Sequence, residues 1–417
     1  MVRMASTSPL QTNSLVSPFA DTVPFVAGQT LNSDFPAQSE QSREPISNPI
    51  ETLRVLHVVN GEHFSGAERV QQLLGKSLPQ FGIRAEFACI KPGKFPSMCD
   101  LPIDRVHEFP MRHRTDLRAI AGIVKHVKES QIQVLHAHTP RSALVTGMVA
   151  KRTGLPWIYH VHSPAARDST RAWVNRINDL VERWSLSSCS KIITVSRSLR
   201  REMLRQGWSR HKVVAIGNGV AAQTAIDPIC RKDAKTWKLG MVALFRPRKG
   251  IEVLLEAIAR LPITAPSIQL QVIGGFETQA YEHEVRQLIA SLHIESKVNL
   301  TGFTKEVTER MRELDGMVLP SLFGEGMPMV VLEAMAVGVP ILATRVEGTP
   351  EVVRDGVEGV LAQPRDVDSL VDAIVRFTAS RSKWQQMSHQ AWERHRAKFT
   401  DLCMAEHTAK VYRSLSN

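Results

Sequence analysis

The chain has 417 residues and a net charge of +11, and its length suits two domains rather than one. No apolar run reaches the roughly 18 residues of a membrane span, and the N-terminus lacks the apolar core of a signal peptide. The five cysteines have no CxxC spacing, which is typical of a reduced, cytoplasmic chain without a zinc site. With 6% aromatic residues and no recognition motif, we expect no nucleic-acid partner.

Residues 1–50 are rich in Ser, Pro, Gln and Thr and lack a hydrophobic period, so we expect a disordered leader. From residue 53 onward, short apolar strands alternate with helical patterns. The predicted strands of this first series are 53–59, 85–90, 134–138, 157–161, 191–195 and 213–216. We place an N-terminal domain at 51–225, closed by the turn residues Asn218 and Gly219.

A second alternating series follows a connection at 221–238, and we place a C-terminal domain at 226–399. Its predicted strands are 239–245, 269–273, 298–301, 317–320, 341–343 and 359–361. Alternation of this kind predicts parallel sheets covered by helices on both faces. Ligands of such sheets bind outside the carboxyl ends of the strands, and a cleft between two domains is a favoured site.

A capping box follows the first predicted strand. Ser65 and Glu68 have the S-x-x-E spacing, which marks a helix start. Gly66 lies in the first turn, where free backbone N–H groups either face solvent in an ordinary cap or bind an anion or a sugar hydroxyl.

Two H-x-H pairs, His136/His138 and His160/His162, follow neighbouring strands. The two histidines of each pair share a face because strand side chains alternate. A metal site built from both pairs is one interpretation. No carboxylate or Cys joins them at ligand spacing, so we expect no metal and assign His136 and His138 to support of the strand ends.

Basic residues cluster at 112–128 and 197–212. The first stretch predicts an amphipathic helix with Leu117, Ile120, Val124 and Val127 on one face and Arg118 and Lys125 on another. Such a face is either simply solvated or docks on an anionic lipid surface or a charged acceptor.

The second domain opens with a basic turn that contains Arg246, Arg248, Lys249 and Gly250 before a helical pattern. These side chains, together with the partial positive charge of the helix start, can neutralise a diphosphate. The alternative is a solvated basic turn.

Seven residues separate Glu325 from Glu333. Pro328 suits a helix start, which places Glu325 in the preceding loop and Glu333 inside the helix. Eight helical residues rise about 12 Å, too far for the carboxylate pair of a glycosidase. The two carboxylates can instead bind two parts of one long ligand.

This segment resembles the E-x7-E signature of the retaining glycosyltransferases of the GT4 family. Further matches are Gly66-Ala67-Glu68-Arg69, Lys249-Gly250, Pro320-Ser321, Gly324, Gly326, Pro328 and the residues from Ala334 to Pro340. The chain departs from the family at Ser65, Ala221, Leu244 and Glu347, where relatives have Gly, Asp, Arg and Gly. The resemblance runs from about residue 54 to the end and is strongest over 302–359.

The resemblance implies an α/β GT-B fold, with two Rossmann-like doubly wound parallel-sheet domains facing across a cleft. The C-terminal domain would hold a nucleotide-diphospho-sugar, the N-terminal domain would present the acceptor, and a final helix at 400–417 would cross back. The implied reaction moves the sugar to an acceptor hydroxyl with retained configuration. It would serve polysaccharide, lipopolysaccharide or glycolipid biosynthesis, without cofactor or metal.

The resemblance also assigns residues. Glu325, His162 and Lys249 would be catalytic, and Glu333 would bind the ribose. The donor-binding set is Gly66, Arg246, Lys249, Phe303, Glu325, Gly326, Met327 and Glu333. Either Arg246 or Arg248 would replace the arginine that the family has at 244.

The implied partners are the donor, a glycan or lipid-linked acceptor and an anionic membrane surface, for an enzyme at the inner face of the membrane. The alternative function is a non-catalytic relative that binds nucleotide or glycan as a scaffold.

Overall fold

Residues 52–113, 116–163, 186–227 and 235–416 are described by a computed structural model. The predicted leader at 1–50 lies outside the described residues. The strands are β1 Leu53–Val59, β2 Ile83–Cys89, β3 Val106–Glu108, β4 Val134–Ala137, β5 Trp157–Val161, β6 Lys191–Thr194, β7 Val213–Ala215, β8 Thr236–Val242, β9 Ser267–Ile273, β10 Val298–Gly302, β11 Gly316–Leu319, β12 Ile341–Thr344 and β13 Gly359–Ala362.

The α-helices of the same residues lie between and after these strands. They are α1 Gly66–Ser77, α2 Lys94–Met98, α3 Leu117–Glu129, α4 Pro140–Thr153, α5 Arg197–Arg205, α6 Ile251–Ala259, α7 Gln279–Ser291, α8 Val307–Arg312, α9 Met329–Ala336, α10 Thr349–Val352, α11 Val367–Thr378, α12 Arg381–Lys398 and α13 Asp401–Ser416.

Two parallel sheets organise the chain. The first has seven strands in the order β3-β2-β1-β4-β5-β6-β7, and the second has six in the order β10-β9-β8-β11-β12-β13. In each sheet the strand order reverses beside the first strand of the series, between β1 and β4 and between β8 and β11. A crevice for ligands opens at the carboxyl ends of strands at such a reversal.

The central strands are nearly continuous apolar runs because helices cover both faces of each sheet. All five residues of β5 and all four of β11 are buried. The predicted strands are therefore found within a few residues of their expected positions. One strand, β3, was missed because it has only three residues, none of them fully buried.

The connection expected at 221–238 ends earlier than predicted. The second sheet already begins at Thr236, and Trp237 is buried in its core. Lys238 donates its backbone N–H to Asp315 Oδ2 at 2.7 Å. Thr236 and Lys238 are polar, so the first residues of this strand do not appear as part of an apolar run.

The last helix, α13, packs against α1 of the first sheet. Ser77 Oγ donates to Asp401 Oδ2 at 2.7 Å. The chain reaches α13 along the N-G-V turn, where Val220 N donates to Phe399 O at 2.9 Å. A side chain at Gly219 would lie 2.1 Å from Thr400 O, so only glycine allows this close passage.

Within the described ranges, no helix is both long and apolar enough to cross a membrane.

Candidate functional site

Glu325 lies in the loop between β11 and α9, as predicted, and is almost fully buried. Its Oε1 atom accepts from Lys249 Nζ at 2.5 Å and from Ser321 Oγ at 2.7 Å. Arg248 Nη1 is 3.9 Å from the same oxygen. Burial alone would raise the pKa of Glu325, but Lys249, Ser321 and Arg248 outweigh it and lower the pKa. The carboxylate is therefore held ionised and oriented by its own domain.

The basic turn is brought against this loop by close backbone packing. Gly250 has φ +70°, and a side chain there would lie 2.3 Å from Pro320 O. Leu322 N donates to Arg248 O at 2.8 Å. Glycine at 250 thus lets Lys249 reach Glu325.

The two candidate arginines differ in where they point. Arg248 faces the Glu325 loop and donates to Gly324 O at 3.4 Å. Arg246 instead pairs with Glu277, with 3.0 Å between Nη2 and Oε1. The arrangement favours Arg248 as the neighbour of Glu325, an outcome that residue spacing left open.

Glu347, where the family has Gly, supports the Glu325 loop. Its Oε2 accepts from the backbone N–H of Gly324 at 2.9 Å and of Glu325 at 3.1 Å. Its φ of +30° is unfavourable for a side chain. The sequence did not predict this contact, although the departure from Gly at that position was visible.

Glu333 lies in α9 and is buried, and its partner comes from the first domain. Arg69 Nη2 forms an ion pair with Glu333 Oε1 at 2.6 Å. Burial raises the pKa of Glu333, and Arg69 only partly opposes this. Arg69 belongs to the matched G-A-E-R segment, yet its pairing with Glu333 was not foreseen.

Several close contacts bring the two domains together at this loop. A side chain at Gly326 would lie 2.1 Å from His162 O, and one at Gly66 would lie 3.6 Å from Met329 Cγ. Asn218 Nδ2 donates to Met327 O at 3.1 Å. The start of α1, the end of β5 and the start of α9 thus form one edge of the cleft.

The predicted capping box and the helix start are found at this edge. Ser65 N and Ser65 Oγ both donate to Glu68 Oε2, at 3.0 and 2.7 Å, and Gly66 is the first residue of α1. Pro328 lies at the N-cap of α9, one residue before the predicted place. Phe303 follows β10 away from this edge, with 74% of its surface exposed.

The H-x-H pairs form a stacked array of imidazoles. His136 stacks on His138 and His160 on His162, each with ring centroids 4.3 Å apart, so each pair shares a face as predicted. His57 from β1 joins the array, and this was not anticipated. Burial lowers the pKa of His162 to about 4 and that of His57 to about 3, so the rings are neutral at physiological pH.

Ligand-capable nitrogens also converge in this array. One group is His57, His136 and His138, and a second is His138, His160 and His162. A separate half-buried group contains Glu86, His107 and His126 on β2, β3 and α3. His57, His138 and His162 already hydrogen-bond to one another, and His136 bonds to Tyr412. Glu86 Oε1 already accepts from Arg84 at 3.1 Å.

A basic pocket opens where α5 of the first domain meets Glu351 of the second domain. Its volume is about 770 Å³, and it is lined by Arg197, Arg200, Arg201, Arg210, Val213, Val214, Ala215 and Glu351. Glu351, from α10, accepts from Arg197 N at 2.7 Å and from Ser198 N at 2.6 Å. A carboxylate of one domain therefore caps a helix of the other.

Two family models match consecutive parts of the chain. The "Glycosyl transferase 4-like domain" matches residues 65–219, and "Glycosyl transferases group 1" matches residues 223–394. Together they cover every strand of the two sheets except β1, and the cleft edge.

Two of the relatives are named as sugar transferases. The chain is 23% identical over 349 residues to the UDP-Gal:alpha-D-GlcNAc-diphosphoundecaprenol alpha-1,3-galactosyltransferase of Escherichia coli, covering 78% of this chain and 88% of that enzyme. It is 25% identical over 252 residues to the phosphatidyl-myo-inositol mannosyltransferase of Mycobacterium leprae, covering 59% of this chain and 64% of that enzyme. Nothing in these matches favours the non-catalytic alternative.

Solved structures share the fold. HepE of Anabaena, crystallised with UDP, superposes with a TM-score of 0.77 at 21% identity, covering 87% of this chain and all of that one. Sucrose-phosphate synthase of Thermosynechococcus elongatus superposes with a TM-score of 0.73 at 21% identity, covering 87% and 99%. The chain therefore belongs to the group 1 glycosyltransferases and has the GT-B fold, with two Rossmann-like domains facing across a cleft.

Proposed function

We propose that this enzyme transfers a hexose from a UDP-sugar to a hydroxyl of a lipid-linked or polysaccharide acceptor, with retention of configuration, as a GT4 member. The observation that carries the proposal is the pair of buried carboxylates, Glu325 beside Lys249 and Glu333 beside Arg69, at one cleft edge. The choice of uridine is supported by the UDP-galactose in the name of the E. coli relative and by the UDP bound to HepE.

In this proposal Glu333 accepts hydrogen bonds from the ribose hydroxyls, and the donor displaces Arg69 to do so. The Arg69 side chain is 43% exposed, so it can move into solvent when the donor replaces it. Glu325 accepts from hydroxyls of the transferred sugar, with Oε1 already oriented by Lys249 and Ser321. The backbone of Gly326 and Met327, and Phe303 near the base, complete the donor site.

The diphosphate lies between these two carboxylates. Lys249 has three N–H donors, and one of them is used by Glu325, so the others can meet phosphate oxygens. Arg248 adds a second cation, and Arg246 can join by leaving Glu277. These groups stabilise the charge that grows on the leaving diphosphate, the kind of preorganised electrostatic effect that is usually the largest in catalysis. We propose that they do so without a metal ion or cofactor.

The acceptor enters from the first domain, where Gly66 and His162 face the start of α9. We propose that the acceptor hydroxyl attacks on the face of the sugar that the diphosphate leaves, and that His162 bonds a sugar hydroxyl there. No side chain is assigned as a covalent nucleophile.

We propose that the enzyme is cytoplasmic and docks on the inner face of the membrane through its first domain. Arg118, Lys125 and Lys128 are exposed on α3, whereas Ile120, Ile123 and Val127 of the same helix are buried. Arg197 and Arg201 are exposed on α5 beside the basic pocket. Such cations each contribute about 1 kcal/mol near an anionic lipid surface.

A donor panel tests the proposal. Thermal shifts with UDP-glucose, UDP-galactose, GDP-mannose and ADP-glucose should select the UDP-sugars, and a ligand at 100 times its dissociation constant should stabilise by about 2.7 kcal/mol. NMR of the product's anomeric proton tests retention. Binding of an acceptor glycan with no donor bound or consumed would overturn the proposal.

Flotation with vesicles tests the docking. The chain should float with anionic vesicles and not with neutral ones, and Arg197→Glu combined with Arg201→Glu should weaken flotation. The matched change Arg286→Glu with Arg310→Glu, on exposed helices of the second domain, should leave it intact. Equal loss in both double variants would mean that net charge alone is responsible.

A further inference from the structure

A continuous run of hydrogen bonds links His162 to the C-terminal helix. His162 Nε2 lies 3.1 Å from His138 Nδ1, and His138 Nε2 lies 2.9 Å from His57 Nδ1. His57 Nε2 lies 3.1 Å from the hydroxyl of Tyr412, which lies 2.6 Å from His136 Nδ1. His57, His136, His138 and Tyr412 are buried, so water does not interrupt the run.

The run must be polarised in one direction. A neutral imidazole has one N–H donor and one bare nitrogen acceptor, and a phenol has one O–H donor. Each ring that accepts on one nitrogen therefore donates on the other. Burial keeps these imidazoles neutral by lowering the pKa of each of them. Two arrangements of protons satisfy the whole run with the Tyr412 hydroxyl as a donor, one the reverse of the other. A third, in which Tyr412 accepts from both His57 and His136, leaves its buried O–H unpaired.

The far end of the run distinguishes the two arrangements. His136 Nε2 is buried and has no hydrogen-bond partner among the described residues. One arrangement places a proton on that nitrogen and adds a second unpaired buried N–H donor to that of His160, both of whose ring nitrogens lack a partner among the described residues. Each such donor carries a desolvation cost. The other arrangement leaves only a bare lone pair at His136 Nε2. His136 therefore carries its proton on Nδ1 and donates to Tyr412.

We propose that this polarised run holds His162 with its proton on Nδ1 and its Nε2 as acceptor, so that Tyr412 and His57 are positioning residues for the imidazole at the cleft. Tyr412 donates to His57, His57 donates to His138, and His138 donates to His162. His162 then offers an N–H donor to an oxygen of the ligand. The catalytic meaning rests on the proposed function, in which His162 faces the sugar, but the proton assignment does not.

The assignment is measured in the free enzyme by long-range ¹H–¹⁵N correlation on the full chain with ¹⁵N-histidine, with His162 identified through His162→Gln. We expect a protonated Nδ1 and a bare Nε2, the less common form of free histidine in water. Tyr412→Phe removes the donor to His57 and frees the run to reverse, so the two nitrogen shifts of His162 should move toward each other.

Tyr281→Phe is the matched control. It also removes a hydroxyl donor, which binds Glu252 at 2.6 Å, but in the second domain. We expect it to leave the His162 shifts unchanged. A proton on His162 Nε2 in the wild type overturns the proposal, and so does an equal change in both tyrosine variants. The wild-type spectrum decides the direction even if Tyr412→Phe does not fold.

Kinetics separates positioning from folding. We expect Tyr412→Phe to lower kcat for UDP-sugar transfer several-fold while the dissociation constant of UDP stays unchanged, because the nucleotide is held by the other domain. A change in UDP affinity with unchanged kcat would contradict a positioning role. If the wild-type enzyme transfers no sugar from a UDP-sugar but shows the expected His162 shifts, the proposed function is wrong. The proton assignment would then still hold.

Discussion

Glu325 and Glu333 lie eight positions apart, and both are buried, with 5% and 9% of their surface exposed. Glu325 is held by Lys249 and Ser321 of its own domain, and its pKa is lowered. Glu333 is held by Arg69 of the other domain, and its pKa is raised. The first carboxylate is thus fixed before any ligand arrives, whereas the second has a partner that a ligand can replace.

The contrast separates two tasks within one motif. A preorganised group costs no rearrangement when charge develops, which suits the reacting end of a donor. An exchangeable pair between domains suits recognition, because binding then changes the contact between the domains.

Lys249→Met should abolish the preorganisation of Glu325. We expect kcat to fall by roughly 10²–10³, as for the loss of one preorganised electrostatic group. The free energy of unfolding should also fall by about 3 kcal/mol because Glu325 is left buried and unpaired. Transfer assays and urea denaturation measure the two effects.

Lys383→Met, at an exposed lysine of α12, is the control for removing one charge. Adding Glu325→Leu to Lys249→Met should restore much of the stability without restoring activity, because both charges of the buried pair are then gone. Recovery of activity in that double variant would contradict the role of either group.

Glu333→Gln should weaken donor binding and spare the chemical step. A hydrogen bond to a charged group contributes about 1.5–3 kcal/mol, so the dissociation constant of UDP-glucose should rise roughly tenfold to a hundredfold. Calorimetric titration measures it, with Glu284→Gln on the exposed face of α7 as control. An unchanged dissociation constant with a lower kcat would reverse the assignments of the two carboxylates.

The affinity for UDP-glucose should depend on pH through Glu333. Its pKa lies above the usual value of 4.5, and only the ionised form accepts hydrogen bonds from both ribose hydroxyls. Affinity should therefore rise several-fold as pH increases through that raised pKa, while Glu325, with its lowered pKa, stays ionised throughout. UDP-glucose is the probe because its diphosphate does not titrate near neutrality, unlike the terminal phosphate of UDP.

Variants locate the source of this pH dependence. Glu333→Gln should remove it, and Arg69→Gln should move it to higher pH, since Arg69 opposes the rise in the pKa of Glu333. The stability of the free enzyme should depend on pH with the opposite sign to the affinity for UDP-glucose. A raised carboxylate pKa gives stability that is present below the unfolded value and is lost as pH rises through the folded value. An unchanged profile in Glu333→Gln would assign the titration to another group.

Substitutions of Glu347 test its support of the Glu325 loop. We expect them to change stability less than the other variants do. Glu347→Ala keeps the unfavourable positive φ and loses the acceptor for two backbone N–H groups. Glu347→Gly loses the same acceptor but relieves the strain, so it should be about 1 kcal/mol more stable than the alanine variant. Urea denaturation compares them, and an alanine variant as stable as glycine would show that no strain is stored there.

The fold could be predicted because its strands are buried on both faces and therefore appear as apolar runs. The exceptions follow from the same rule, since β3 is a short edge strand and β8 begins with polar residues. The positions of Glu325 before α9 and of Glu333 inside it could also be predicted, because they depend only on neighbouring residues, namely Pro328 and the helical period.

The pairings across the cleft could not be predicted in this way. Arg69 and Glu333 belong to separate domains, and His57 lies 355 positions from Tyr412. Such contacts depend on how the two domains and the last helix meet, which no local period encodes. Arg246 and Arg248 were equivalent by composition, and only the path of the turn distinguishes them.

The return of α13 to the first sheet has a consequence for synthesis on the ribosome. The core of the first domain contains Tyr412, hydrogen-bonded to strands that emerge at the start of translation. At roughly 5–20 residues per second, the sheet waits some 10–40 seconds after Gly219 for its last helix. The second domain can close while the first is still open along α1. The first domain is therefore synthesised first but completes its fold last. A nascent chain truncated before α13 should remain a target for chaperones.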